Sequence, residues 1–158
     1  MRNIYPCLWF DTQAEAAAQF YVSIFRNSRI LSTSRYAEGM PLPAGTVLTV
    51  SFELDGKQFL ALNGGPMFKL SEAFSLVVEC DTQQEIDGLW EKLSAGGQEQ
   101  QCGWLKDKFG LSWQIVPAKL GEWMQSGDPA RSQRVMQALM PMVKLDIAAL
   151  QRAYDGGE

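Results

Sequence analysis

The stretch CDTQQEIDGLWEKLS, residues 80–94, has a counterpart in FDTQAEAAAQFYVSI, residues 10–24. Asp11-Thr12-Gln13 matches Asp81-Thr82-Gln83, and Glu15 matches Glu85, at a constant offset of 70 residues. A strand-like run precedes each copy, NIYPCLWF in the first and AFSLVVEC in the second. Asp or Thr followed by Glu is an N-terminal helix signal that places acidic charge in the first turn. In the second helix Ile86, Leu89, Trp90 and Leu93 fall at i, i+3, i+4 and i+7; in the first, Ala16, Phe20 and Ile24 share a face. Strand, helix start and helix recur together, so the chain reads as a duplication.

Three strand-like segments follow the first helix, RILSTSRYA, TVLTVSFEL and QFLALN, punctuated by EGMPLPAG and DGK. Shorter ones follow the second, near GGQEQQ, CGWLKD and LSWQIV. The last belongs to KDKFGLSWQIV, residues 106–116, where Asp107 and Gly110 supply a turn. Leu111, Trp113 and Ile115 then alternate with Ser112, Gln114 and Val116, which puts Gln114 on the less apolar face. The pattern is strand, helix and three strands, performed twice. Beyond Pro117 the sequence turns helical. KLGEWMQ is followed by a helix with Asp128 as cap and Pro129 in its first turn; Pro141 interrupts, and Asp146 caps LDIAALQRAY. Met124, Met136, Met140 and Met142 suit this tail to adaptable packing, on its own domain or on a second subunit.

Composition narrows the chemistry. The 158 residues are 46% hydrophobic and 20% charged, enough for a real core. A net charge of −4 with no basic stripe argues against nucleic acid, and no apolar run approaches a membrane span. Cys7, Cys80 and Cys102 are scattered without CxxC spacing, as in a reduced cytoplasmic protein. The chain has no histidine. A Ser-His-Asp triad, a histidine base and a histidine metal ligand are thereby excluded.

The double βαβββ pattern, closed by DKFGLSWQI, resembles the vicinal oxygen chelate superfamily of glyoxalase I, bleomycin-binding proteins and extradiol dioxygenases. PCLWFD, AEAAAQFY, DKFGLSWQI and the GMP after the second strand resemble its PhnB-like branch, whose members often carry the label 3-demethylubiquinone-9 3-methyltransferase. The resemblance covers about residues 3–117. It implies an α+β fold of two tandem modules, about 1–66 and 72–117, whose curved sheets form a cleft, with a helical tail over 118–158. It also implies a small-molecule ligand and a homodimer.

Metal-using relatives place His or Glu ligands on the first and last strand of each module. Strand alternation turns Ser75, Val77 and Glu79 to the cleft side, and the repeat offset turns Tyr5, Cys7 and Trp9 the same way. In the fourth strand Phe59, Ala61 and Asn63 are expected to line the cleft. The family's metal-binding Glu falls on Gln114, and Tyr5, Ala61, Ser75 and Gln114 offer no anionic ligand at neutral pH, so neither metal nor cofactor is expected. Trp9, Trp104 and Phe68 are candidate walls for a flat ligand. Glu79, Tyr5 and Cys7 are the candidate catalytic groups should the protein be a metal-free enzyme. Methyl transfer from S-adenosylmethionine in the Rossmann manner needs a glycine-rich turn between strand and helix, and both turns here read DTQ.

Overall fold

The computed structural model describes residues 1–157. The chain divides into two compact units, Met1–Leu70 and Ser71–Glu158. The first contains β1 (Cys7–Phe10), α1 (Ala14–Ile24), β2 (Arg29–Arg35), β3 (Val47–Leu54) and β4 (Lys57–Asn63), with the sheet order β1-β4-β3-β2. The second repeats the series as β5 (Ser75–Cys80), α2 (Gln83–Ser94), β6 (Gln98–Glu99), β7 (Trp104–Lys106) and β8 (Ser112–Pro117), in the order β5-β8-β7-β6. Each unit is a βαβββ module with its first and last strands parallel and adjacent. The fold is α+β.

One face of each sheet packs on its helix. In the first module Leu8, Phe10, Val50, Phe52, Phe59 and Ala61 are buried, and Phe52 lies between Tyr21 of α1 and Phe59. The buried face of α1 is Ala14, Ala17, Ala18 and Tyr21. The expected stripe of Ala16, Phe20 and Ile24 is therefore rotated by a residue, because an alanine-rich helix leaves its apolar phase ambiguous in sequence. In the second module Trp113, Ile115 and Leu105 pack with Ile86, Trp90 and Leu93. Asp55 and Gly56, both at positive φ, join β3 to β4 in the tight turn that Asp-Gly favours.

The repeated Asp-Thr-Gln does different work in its two copies. Thr82 caps α2 by accepting from Glu85 N, while Glu85 accepts from Asp81 N. No side chain of the first copy caps α1 from its own N-cap position. Instead Asn63, at the end of β4, accepts from Ala14 N at 2.8 Å and donates to Val47 O at 3.0 Å. The residue paired with the end of β5 is Pro117, which has no such side chain, so α2 depends on its own threonine.

Three further helices complete the second unit: α3 (Leu120–Met124), α4 (Pro129–Leu139) and α5 (Ile147–Asp155). Asp128 and Asp146 cap the last two. Trp123, Val135, Leu139, Leu145 and Leu150 form a core with Val116 of β8. Leu139 and Leu150 are core residues, whereas Met136, Met140 and Val143 are exposed. No described helix is long and apolar enough to cross a membrane.

Candidate functional site

Pairing register assigns every strand residue to the helix face or the open face of its sheet. In the first module Leu8 pairs with Ala61 and Phe10 with Asn63, while Cys7 pairs with Leu60 and Trp9 with Leu62. Neighbours in parallel strands point the same way, so Ala61 and Asn63 belong to the helix face with Leu8 and Phe10. Their burial agrees. This corrects the expectation that Phe59, Ala61 and Asn63 line a cleft: Asn63 is a helix cap, and Leu60 and Leu62 occupy the open face instead. The alternation of QFLALN is sound, but either of its faces is apolar enough to be core.

Cys7 and Trp9 lie on the open face, with Tyr5 exposed just ahead of β1. Trp9 is fixed by the loop that follows β4. Its indole Nε1 donates to Gly65 O at 2.9 Å, and Phe68 meets its ring edge-on with centroids 5.0 Å apart. A Cβ on Gly64 would fall 2.4 Å from Trp9 Cζ2, so glycine is required for this approach. The indole N–H is thus satisfied internally, and only ring surface remains for a ligand. Cys7 is exposed as a residue, yet desolvation of its sulfur raises the thiol pKa. It is no ready nucleophile. Cys80 is buried beneath the sheet, its thiol pushed up to about 11 by burial and then by Glu85 and Asp81.

The second module presents two rows on its open face, the first polar and the second mixed. One runs Ser75, Ser112, Lys106 and Gln98 across β5, β8, β7 and β6; the next runs Val77, Gln114 and Trp104. Glu79 sits beyond them, exposed, beside Val116. Gln114 Nε2 donates to Ser75 Oγ at 2.9 Å, and half-buried Trp104 flanks it. Lys106 forms an ion pair with Glu72 from the segment before β5. That bond, with Glu72's own backbone amide and Gln100, holds the Glu72 carboxyl below the usual carboxylate range. Sequence alternation set Ser112 on the same face as Gln114 without counting it among the site residues, and it missed Lys106 and Glu72, whose ion pair needed tertiary structure.

Asp107, also buried, explains the KDKFGLSWQIV motif. Its Oδ1 accepts from Phe109 N and Leu111 N, and its Oδ2 accepts from Trp113 Nε1 at 2.8 Å. The motif is a structural clasp that delivers Ser112 and Gln114 to the open face. Among the described residues no three His, Cys, Asp or Glu groups converge as a metal-binding set. Gln114 brings an amide where a divalent ion would want an anion, so this donor set does not fit such an ion.

Two tandem modules of this topology define the glyoxalase-like, vicinal oxygen chelate class of fold. Within it, the chain belongs to the 3-demethylubiquinone-9 3-methyltransferase family, whose model matches residues 2–116. The PhnB protein of Bacillus cereus, which carries the same methyltransferase label, is 37% identical. That match covers 73% of this chain and 99% of the other, with a TM-score of 0.67. Protein PA1353 of Pseudomonas aeruginosa is 18% identical, with 74% and 98% of the two chains covered and a TM-score of 0.60. The fosfomycin resistance protein FosX of Listeria monocytogenes, solved with Mn(II) and sulfate, is 14% identical over 73% and 91% of the chains, with a TM-score of 0.51. The last two show the fold alone. No curated protein sequence matches the chain.

Proposed function

We propose that the protein binds a small, flat organic molecule without a resident metal, acting by sequestration or sensing. The observation that carries this reading is the Val77–Gln114–Trp104 row, a neutral amide between an exposed aliphatic group and an aromatic wall. Aromatic surface supplies affinity through burial, and an amide orients a ligand because it both donates and accepts. The alternative is a metal-free enzyme drawing on Glu79, Tyr5 or Cys7, and the raised Cys7 thiol weighs against its nucleophilic form. Three free cysteines accord with a cytoplasmic location.

The methyltransferase label has little support in the local geometry. Neither strand-to-helix turn contains glycine, and one first-turn amide of α2, that of Glu85, is already engaged by Thr82. Purified protein is expected to carry far less than one Zn, Ni, Fe or Mn per chain by elemental analysis. Calorimetric titration with S-adenosylmethionine is expected to be silent. A stoichiometric metal, or saturable micromolar binding of S-adenosylmethionine, overturns the reading. In a fragment screen by ligand-observed NMR, aromatic hits are expected to weaken about fivefold in Gln114→Ala, the loss of one hydrogen bond of about 1 kcal/mol.

The same reading includes a homodimer, supported by the exposed Met136, Met140 and Val143 on the tail and the unpaired β2 edge with Ile30 and Leu31. Light scattering at micromolar concentration should return twice the chain mass; the monomer mass rejects it.

A further inference from the structure

Ser112 is fully buried, and among the described residues its Oγ is the one buried side-chain polar atom without a hydrogen-bond partner. Such an orphan costs stability, and a hydroxyl that persists in that state points to a group the protein meets only some of the time. Its sheet neighbours on the same face are Ser75 on one side and Lys106 on the other, with Gln114 two residues along the strand.

The cluster is rich in hydrogen-bond donors. Ser112 has an unused O–H. Ser75 accepts from Gln114 and keeps its own proton to donate; Gln114 has a second amide hydrogen; Lys106 has three N–H donors. Acceptor capacity is present on Gln114 Oε1, the two hydroxyl oxygens and the carboxylate of Glu72. What marks the cluster is an unpartnered hydroxyl on the same sheet row as a cation, Lys106.

We propose that Ser112, Gln114 and Lys106 form an oxyanion subsite for the carboxylate of a flat organic acid, and that Glu72 is a built-in competitor occupying Lys106 until that acid arrives. The proposal rests on the small-molecule-binding reading above and names its ligand class. Glu72 suits the part: it is the carboxylate that Lys106 holds, its side chain is half exposed, and it belongs to the segment ahead of β5 rather than to the sheet. Trp104 flanks Gln114 in the adjacent row, so a ring attached to the carboxylate has an aromatic wall within the same module. Binding exchanges one carboxylate for another on Lys106 and gives Ser112 the acceptor it lacks.

Benzoate and its neutral isostere benzamide are suitable probes, titrated by calorimetry or ligand-observed NMR into the full chain and its variants. Glu72→Gln removes the competing charge and is expected to tighten benzoate at least tenfold while leaving benzamide within about twofold. Lys106→Met is expected to weaken benzoate at least tenfold in the Glu72→Gln background. Ser112→Ala is expected to weaken benzoate in the same background, yet to raise the melting temperature of the unliganded protein by about 2 to 4 °C by deleting an unsatisfied hydroxyl. A serine with no part in binding would show the gain in stability without the loss of benzoate affinity. Benzoate affinity indifferent to Glu72→Gln and Lys106→Met overturns the subsite. If benzamide binds with dependence on Gln114 while benzoate does not bind, the oxyanion proposal falls and the binding reading stands. If neither probe binds any variant and the wider aromatic screen is empty, both fall.

Discussion

Asp107→Ala is expected to destabilise the protein by about 3 to 5 kcal/mol, read as a fall in the urea midpoint with an unchanged slope. One carboxylate satisfies two backbone amides and an indole N–H, all around a turn buried against Leu111 and Trp113. Alanine strands those donors where water does not reach, and hydrogen bonds to a charged group are each worth about 1.5 to 3 kcal/mol, though not additively. Asp107→Asn should recover part of the loss: one oxygen still serves the backbone, but an NH2 then confronts Trp113 Nε1. A loss below about 1 kcal/mol for alanine would mean that Gly110 and the strand pairing hold the turn without the carboxylate.

Truncation after Lys119 is expected to abolish the cooperative unfolding of the second unit, or to drive the protein into aggregates. The tail is not an appendage. Cys102 N and Gly103 N donate to Met142 O and Val143 O at 2.7 and 2.8 Å, extending the β6–β7 turn by a strap of tail backbone. Gln83 clasps the same strap from α2, donating to Leu145 O and accepting from Ile147 N. Leu145 lies fully buried, and Gly103 leaves it room, since a Cβ there would sit 2.9 Å from Leu145 Cγ. Leu145→Ala is the graded version of the truncation and should cost about 3 to 5 kcal/mol through the cavity it opens. A truncated protein that stays soluble and melts as one transition would show the tail to be dispensable.

The strap also carries a pH signature. Lys144 bonds Asp87 at 2.8 Å and, with Gln83, holds that carboxyl below its ordinary range. A carboxyl depressed in the folded state stabilises it above the unfolded-state pKa, and the contribution disappears as pH falls through the folded value. Lys144→Ala should therefore flatten the acid limb of the stability curve below about pH 4 and leave its alkaline side unchanged.

Much of the architecture was legible in the residues. Asp-Thr-Gln recurring at one offset, each time after an apolar run, implied two βαβββ modules, because strand and helix periods change at the same places in both copies. Asp128-Pro129 and Asp146 announced their helices, since capping is local chemistry between a side chain and amides two or three residues away. The absence of histidine excluded whole classes of mechanism without reference to shape. Alternation along β5 and β8 placed Ser75, Val77, Glu79 and Gln114 on one face, because each strand has one plainly greasier side.

Where both sides of a strand were apolar, alternation had nothing to choose between. In QFLALN only the pairing of β4 with β1 shows that Ala61 and Asn63 face the helix, with Asn63 capping α1 from 49 positions away in sequence. The phase of α1 failed for a related reason, since alanines mark no preferred side. The Glu72–Lys106 ion pair and the Gln83 clasp join groups whose identities are ordinary and whose meeting depends on tertiary packing between segments far apart in sequence. Burial made the last distinction. Ser112 and Gln114 are alike in a string of letters, two polar interruptions of a strand, and only packing left one of them hydrogen-bonded to Ser75 and the other buried without a partner.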